Sequence, residues 1–331
     1  PGHNVETINE PRECKISIKS DVLGDNGKKE ISVEQDAFVF ETDKDKLNAF
    51  DEMNPDWQSI KVTDCTKNSG KDCYSVELES GTASWLKSEY DSDSGKCKFK
   101  PNGNNTNAEE RSGEIKFVIN HPAVDGDVVL MSIPVTQNPY IWDVNVSGST
   151  SISTLGGDSG IKIKASGKWT IDCPQGVTAD PEEGEGANGG KEADVELTFV
   201  PNYGDSEKES KVTVKCKDND LLKKELTFKQ PAYTFKVDGK TSDDDIEYII
   251  SDDECSFDIA IECSDPKAWE AKCKDEEDEW VDMTKNYTDK KLSVTIEQNK
   301  DKKEREAVIT ISTTDDSNRT VNVTIKQEAA K

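Results

Sequence analysis

One short strand pattern recurs four times along the chain and limits what the chain can fold into. Each copy alternates apolar and polar residues and ends on glutamine, which is the period-two pattern of a half-buried β-strand. The copies are residues 30–35, 132–137, 225–230 and 322–327. Their glutamines are 102, 93 and 97 residues apart, which is the length of one small β-sandwich domain. The spacing therefore predicts a tandem array of such domains.

Further landmarks recur in a fixed order within each unit. An aromatic pair follows each of the first three glutamines, a tryptophan with a nearby cysteine comes next, and a strand ending in asparagine precedes a basic residue. The aromatic pairs are Phe38/Phe40, Tyr140/Trp142 and Tyr233/Phe235; the tryptophan landmarks are Trp57/Cys65, Trp169/Cys173 and Trp269/Cys273; the asparagines are Asn102, Asn202 and Asn299; the basic residues are Arg111, Lys208 and Arg305. Recurrence within one chain favours a core role for these aromatic residues.

Turn residues separate the short strands throughout the chain, and helical patterns are nearly absent. This combination predicts an all-β protein of tandem immunoglobulin-like antiparallel β-sandwich domains. The predicted domains are residues 38–138, 139–231 and 232–331, joined by linkers of two or three residues. Residues 1–37 are predicted to be an N-terminal extension that contains a hairpin without the rest of a domain.

The order of the landmarks resembles the BACON domain, an immunoglobulin-like module common in secreted proteins of gut Bacteroidetes. The resemblance rests on the tryptophan strand, a second tryptophan at Trp85 or Trp280, the strand ending in asparagine, the basic residue and the closing glutamine strand. It covers about residues 38–331 and implies three units of that fold in a secreted or surface protein. The second unit departs from the pattern, because an acidic, glycine-rich loop at 180–190 takes the place of the second tryptophan.

The N-terminal segment 14–35 matches only the last two strands of a unit. An isolated two-stranded hairpin is marginally stable in water. Three interpretations stay open: the hairpin is the truncated end of a fourth unit, it folds back on the chain, or it donates strands to another molecule. The third interpretation predicts self-association through residues 14–35.

The net charge excludes one class of partner. The chain has 68 acidic and 42 basic residues, which gives a formal net charge of −26. A chain this acidic repels phosphate backbones and anionic lipid surfaces, so we expect no nucleic-acid partner. No stretch approaches the ~20 apolar residues that span a bilayer. The first residues, 1–4, are interpreted as a processed end or a cloning scar.

Nine cysteines are scattered along the chain, without the paired spacing and the histidines of a zinc site. This usage predicts structural disulfides and an oxidising compartment, so the protein is expected to be secreted or exposed on the cell surface. The predicted pairs are Cys173–Cys216 and Cys263–Cys273. Pairing in the first unit, among Cys65, Cys73, Cys97 and Cys14, is left open. The alternative is that several cysteines are buried thiols.

Residues suited to catalysis are scarce. The two histidines, His3 and His121, have no nucleophile in a recognisable setting. With 68 acids present, a pair of carboxylates carries no information. Acidic runs at 91–95, 125–127 and 243–245 lack the full ligand pattern of an EF-hand, which favours solvated turns over calcium sites. We therefore expect no enzyme activity, no metal and no cofactor.

Tyrosines that do not recur are the better candidates for ligand contact, and Tyr90, Tyr203 and Tyr287 are the ones selected. The predicted function is that of a non-enzymatic extracellular or cell-surface protein. It would act as an adhesion module that binds glycans or host surface proteins, or as a spacer stalk. The alternative is a structural subunit of an extracellular fibre or virion appendage, assembled through the N-terminal hairpin.

Overall fold

The computed structural model describes residues 10–20, 22, 28–65, 73–120, 128–241, 245–275 and 278–331. These residues form 25 β-strands and one helix of four residues, α1 (Ser80–Ala83). The predicted all-β class is confirmed. Within the described ranges, no helix has the length and apolar character needed to cross a membrane.

The N-terminal hairpin consists of β1 (Arg12–Ile18) and β2 (Lys29–Gln35). The two strands are antiparallel, with Arg12 opposite Gln35 and Ile16 opposite Ile31. They form a two-stranded sheet that includes no other strand of the described chain.

The first sandwich is formed by two sheets between residues 40 and 137. Its strands are β3 (Phe40–Thr42), β4 (Gln58–Cys65), β5 (Tyr74–Leu78), β6 (Leu86–Asp91), β7 (Lys96–Pro101), β8 (Arg111–Ile119) and β9 (Val129–Gln137). One sheet has the order β3-β4-β7-β6 and the other the order β5-β8-β9. Alternate side chains along β7 and β8, such as Phe99, Ile115 and Phe117, are fully buried between the sheets, as a half-buried strand requires.

The second sandwich lies between residues 142 and 230. Its strands are β10 (Trp142–Val146), β11 (Gly157–Ala165), β12 (Lys168–Asp172), β13 (Val177–Asp180), β14 (Glu183–Glu185), β15 (Lys191–Phe199), β16 (Lys208–Cys216) and β17 (Lys223–Gln230). Its sheets have the orders β10-β11-β15-β13 and β14-β12-β16-β17. The acidic, glycine-rich loop therefore supplies an extra edge strand, β14.

The third sandwich lies between residues 235 and 327. Its strands are β18 (Phe235–Val237), β19 (Ile246–Ile250), β20 (Cys255–Cys263), β21 (Trp269–Cys273), β22 (Val281–Asn286), β23 (Lys291–Ile296), β24 (Arg305–Thr313) and β25 (Thr320–Gln327). Its sheets have the orders β18-β20-β23-β22 and β19-β25-β24-β21. All strand pairs are antiparallel except β19 with β25, which is parallel.

Each sandwich has its own hydrophobic core, because the buried apolar residues fall into three clusters that follow the three pairs of sheets. The sheets end at Gln137 and Gln230 instead of continuing through them. The predicted class of tandem immunoglobulin-like β-sandwiches is confirmed.

Strand register identifies equivalent positions in the three sandwiches. Arg111, Lys208 and Arg305 lie opposite the closing glutamines Gln137, Gln230 and Gln327. The residue eight positions after each basic residue is paired with an aromatic residue on the neighbouring strand. These aromatic residues are Tyr74, Trp169 and Trp269 in the first, second and third sandwiches. The assignment of Trp57 to this landmark is therefore wrong. Trp57 precedes β4 and is 37% exposed, and Tyr74 occupies the landmark position in the first sandwich.

The buried asparagine of the first sandwich is Asn105, and the assignment of Asn102 to this role is also corrected. Asn102 is exposed, whereas Asn105, Asn202 and Asn299 are 0%, 6% and 1% exposed. Each of the three side-chain amides donates to two equivalent backbone carbonyls, and that of Asn202 also donates to Gln230 O at 3.3 Å. The acceptors are Glu109 and Asn138, Ser206 and Pro231, and Lys303 and Glu328. The role requires this pair of backbone acceptors, which Asn102 does not reach.

The closing glutamines are buried connectors and not merely strand ends. The amide of Gln137 donates to the carbonyls of Asp51 and Gly103, both at 3.1 Å, and Gln230 and Gln327 make equivalent pairs of bonds. Arg111 and Arg305 donate to the glutamine oxygens at 3.1 and 2.8 Å. In the second sandwich the basic residue is Lys208, and within the described chain the buried Gln230 Oε1 has no hydrogen-bond partner.

Candidate functional site

The space beside the landmark aromatic ring differs among the three sandwiches. In the second, β14 covers the ring of Trp169, and a Cβ placed on Gly184 would lie only 2.3 Å from Trp169 Cζ2. In the third, the ring of Tyr287 packs edge-on against Trp269 at a centroid distance of 5.4 Å. In both sandwiches the landmark ring is in tight contact with a neighbour from the adjoining segment.

The first sandwich has a cavity of about 310 Å³ at this position. It lies between β5 and β6, which are edge strands of the two facing sheets. Its lining residues are Tyr74, Ser75, Val76, Ser88, Glu89, Tyr90, Cys97 and Asn120. Because Ser75, Ser88, Glu89 and Asn120 are exposed, the cavity opens to solvent through a polar rim.

Tyr74 forms the floor of this cavity and is held from behind. Its ring lies 6.0 Å from Phe40 and 5.8 Å from Phe117, measured between centroids. Its hydroxyl is 3.5 Å from Cys97 Sγ. Burial, followed by the contact with Cys97, raises the pKa of Tyr74 far above its ordinary value, so the phenol is neutral at physiological pH.

A disulfide fixes the entry to β5. Cys73, the residue before Tyr74, is bonded to Cys65 at the end of β4. The bond joins the two facing sheets at one end of the cavity, since β4 and β5 belong to different sheets. It connects two of the cysteines whose pairing the sequence left open.

Tyr90 is the candidate aromatic residue that lines the cavity. It lies on β6 opposite Cys97 of β7 and is half-buried. Tyr203 packs instead against Tyr233, with ring centroids 5.5 Å apart, at the junction of the second and third sandwiches. Tyr287 covers Trp269 and has Lys285 Nζ 5.8 Å from its ring. Only the first of the three selected tyrosines is therefore placed to contact a ligand in this cavity.

The acidic turn beside the cavity is closed by its own bonds. Asp91 accepts from the backbone amides of Asp93 and Ser94 and is 2.6 Å from Lys98 Nζ. The Lys98 contact, with help from Ser94, lowers the pKa of Asp91 to about 2. In the described chain, no group of three or more His, Cys, Asp and Glu residues is arranged to hold a metal. The candidate acidic runs at 125–127 and 243–244, and both histidines, lie outside the described residues.

Neither predicted cysteine pair is bonded, and the predicted pairings are corrected here. Cys173 and Cys216 lie in one sheet and not across the sandwich: Cys216 is opposite Trp169, and Cys173 follows the far end of β12. Four residues along a strand correspond to roughly 13 Å, too far for a disulfide. Cys263 and Cys273 belong to different sheets of the third sandwich, and burial raises the pKa of both thiols.

A family comparison matches part of the chain. Residues 267–328, which run from just before β21 to just after β25, match the family described as "BACON: Putative binding domain, N-terminal". The resemblance to this family is confirmed over these residues. No curated protein matches the sequence significantly.

Several solved structures have similar β architecture at low sequence identity. A Bacteroides ovatus GH5 xyloglucanase in complex with a XXXG heptasaccharide is 19% identical, with a TM-score of 0.23, over 28% of this chain and 19% of that one. The I9–I11 tandem of titin is 10% identical, with a TM-score of 0.36, over 88% and 100%. Drosophila N-cadherin EC1-4 is 11% identical, with a TM-score of 0.25, over 99% and 86%. The chain thus spans about a fifth of the xyloglucanase, and none of these scores bears on function.

Proposed function

We propose that the chain is a secreted or cell-surface, non-enzymatic binding protein whose ligand site is the cavity beside Tyr74. Its three sandwiches would be independent domains with the boundaries 38–138, 139–231 and 232–331. The match of residues 267–328 to a family of binding domains supports this class of function. The Cys65–Cys73 disulfide supports an oxidising location.

The observation that carries the proposal is the internal comparison of the landmark ring. Because protein interiors are close-packed, we expect a sandwich that is selected only for stability to fill the space beside its landmark ring. The second sandwich does so with Gly184, and the third does so with Tyr287. Among its described residues, the first sandwich leaves about 310 Å³ open beside Tyr74. Ligand sites are typically concave, with apolar walls and a few polar groups, as this cavity is.

The lining favours a sugar residue as the ligand. Aromatic rings contact the apolar face of a sugar ring, while hydroxyl, carboxylate and amide groups bind its hydroxyls. Tyr74 and Tyr90 offer the first kind of contact, and Ser88, Glu89 and Asn120 offer the second. A side chain of a host surface protein is the competing occupant within the same proposal.

A glycan array with the whole chain, followed by calorimetry on any hit, tests the site. Tyr90→Ala should weaken binding about tenfold, the equivalent of 1.4 kcal/mol. Tyr287→Ala is the matched control, because it removes a tyrosine from the filled third sandwich. Equal losses in both variants would contradict the proposed site, and binding to a host protein with no glycan hit would replace the sugar ligand.

A spacer role is the second candidate, and the two junctions between sandwiches favour it. In the first junction, Asn219 donates to the carbonyl of Thr106 at 2.7 Å. In the second, Arg319 donates to the carbonyl of Tyr203 at 2.9 Å. Thr106 and Tyr203 each follow the buried asparagine, and both donors lie between the last two strands of the next sandwich. The junctions therefore share one plan.

The first junction has an additional buried contact. The carboxylate of Glu52, which is 1% exposed, accepts from Ser166 Oγ at 2.7 Å and from the amide of Gly189 at 2.5 Å. Buried polar groups that are fully bonded hold neighbouring elements in one arrangement. If the array is a spacer, Glu52→Ala should broaden the distribution of end-to-end distances in small-angle scattering. An unchanged distribution would count against a stiff stalk.

Assembly into a fibre or appendage through the hairpin is the third candidate. It is favoured by the exposed apolar side chains of β1 and β2, among them Ile16 at 50% and Ile31 at 43% exposure. Deleting residues 1–36 should then convert assemblies seen by electron microscopy into monomers. Monodisperse monomers of the intact chain would contradict this candidate.

A further inference from the structure

The N-terminal hairpin has the register of a closing strand pair. Arg12 lies opposite Gln35, as Arg111, Lys208 and Arg305 lie opposite their glutamines. Four and six residues after Arg12 come Ile16 and Ile18, and four and two residues before Gln35 come Ile31 and Val33. The basic residue at the start of the hairpin was missed in the sequence, because strand pairing was needed to align it with its equivalents.

The apolar face of the hairpin is exposed, whereas the equivalent faces of the three closing strand pairs are buried in the cores of their sandwiches. Ile16, Ile18, Ile31 and Val33 are 50%, 54%, 43% and 41% exposed. Their equivalents in the three sandwiches are between 0% and 8% exposed. Those equivalents are Ile115, Phe117, Ile133 and Val135; Val212, Val214, Leu226 and Phe228; and Ile309, Ile311, Val323 and Ile325.

We infer that this face binds an incomplete immunoglobulin-like sandwich that lacks its last two strands, and that β1 and β2 close that sandwich. The inference gives the assembly candidate a partner of defined chemistry, and it is independent of the cavity beside Tyr74. The three sandwiches of this chain show what covers such a face: the inward aliphatic and aromatic side chains of the strands that precede the closing pair.

The alternatives within this chain fit less well. In the described chain, each sandwich already contains its own closing pair, β8–β9, β16–β17 or β24–β25. A second copy of the chain could therefore offer only its own hairpin. Two hairpins of seven-residue strands would cover on the order of 200 Å² per copy at ordinary strand spacing. An incomplete sandwich would cover the same face and would also pair an edge strand with β1, as β5 pairs with β8.

The third sandwich is the best internal test of fit. Its closing pair presents Ala307, Ile309, Ile311, Val323 and Ile325 at the positions where the hairpin has Cys14, Ile16, Ile18, Ile31 and Val33. These five exchanges are of similar volume, which cores tolerate. At a sixth inward position the buried Val321 lies where the hairpin has Lys29.

The experiment transplants the hairpin strands into the full chain. Residues 12–18 replace residues 305–311, and residues 31–35 replace residues 323–327. Val321, which lies where the hairpin has Lys29, and the turn between the strands are kept, and the original Cys14 is changed to Ser. The variant should fold, with the transplanted cysteine at the position of the buried Ala307. This cysteine should react with a thiol reagent more slowly than Cys14 of the unmodified chain, by a factor on the order of 100, because a covered thiol reacts only when the sandwich opens. A control transplant shifted by one residue turns the apolar side chains outward and should not fold.

Failure of the in-register transplant to fold, or rapid labelling of its Cys14, would overturn the inference. A second result would also overturn it: in the unmodified chain, Cys14 becomes more protected from the reagent as the protein concentration rises, and sedimentation shows a dimer. The hairpin face would then be covered by a second copy of the chain. These outcomes leave glycan binding at Tyr90 unaffected, so failure of this inference is distinguishable from failure of the proposed function.

Discussion

The first and third sandwiches share the strand register around the landmark ring but differ in the side chains that lie beside it. In the third, Trp269 is 1% exposed and covered by Tyr287. In the first, the smaller Tyr74 occupies the landmark position, and among the described residues no side chain equivalent to Tyr287 fills the space between β5 and β6. The strand register is shared, so the difference comes from a few side chains. Under the proposed function, the first copy binds a ligand beside its landmark ring, whereas the rings of the other two copies are covered by Gly184 and Tyr287.

The largest loss of stability is expected from removing the landmark ring of the third sandwich. Trp269→Ala should lower the free energy of unfolding of the third sandwich by about 3–5 kcal/mol, because it removes a fully buried ring and leaves a cavity. Trp57→Ala is the matched control. Trp57 is 37% exposed and contacts Lys87 Nζ at 4.7 Å from its ring, so its loss should cost about 1 kcal/mol or less. Chemical denaturation of both variants checks this, and equal losses would restore Trp57 as a landmark.

The sequence predicts the three sandwiches well because their strands are recognised by the local alternation of apolar and polar residues. The closing strands and their glutamines are visible as period-two runs, and the three sandwiches follow from their spacing. The contents of the cavity depend on which residues face each other across strands. Tyr74 could not be matched to Trp169 from residue type, and three additional residues before Asn105 concealed its equivalence to Asn202. The Cys173–Cys216 prediction failed for the same reason, since these two cysteines share a sheet.

An intermediate effect is expected at the buried asparagine. Asn105→Ala removes the bonds that its amide donates to Glu109 O at 2.8 Å and Asn138 O at 2.9 Å, and the bond that its Oδ1 accepts from Asn107 N at 3.2 Å. Leaving these carbonyls unpaired should cost about 1–3 kcal/mol. Asn102→Ala changes an exposed residue three positions away and should stay within about 0.5 kcal/mol of the parent. Thermal unfolding distinguishes the two, and a larger loss for Asn102→Ala would contradict the alignment by strand register.

A smaller, favourable effect is expected in the second sandwich. Lys208→Arg should allow a bond to the buried Gln230 Oε1, as Arg111 and Arg305 make to their glutamines. The gain should be about 1 kcal/mol, the net value of an ordinary hydrogen bond. The reciprocal variant Arg111→Lys should lose a similar amount in the first sandwich. If Lys208→Arg destabilises the protein, the three closing pairs do not share one bonding pattern.

The smallest effect is expected at the exposed turn beside the cavity. The pKa of Asp91 is lowered to about 2 from its ordinary value of 3.8, chiefly by Lys98. Because the folded-state pKa is the lower one, this contribution to stability is present above about pH 4 and is lost as the pH falls towards 2. Lys98→Met should raise the pKa of Asp91 in an NMR titration of its carboxyl carbon. An unchanged titration would show that Lys98 does not hold the turn.

Exchanging the two landmark rings tests the central claim most directly. Residue-resolved hydrogen exchange reads the stability of each sandwich within the intact chain. Tyr74→Trp should stabilise the first sandwich by about 0.5–2 kcal/mol, because it fills space that is open there, and Trp269→Tyr should destabilise the third by roughly 0.5–3 kcal/mol. Losses of similar size in both sandwiches would mean that the first copy is as fully packed as the third, and the account of its cavity as a ligand site would be contradicted.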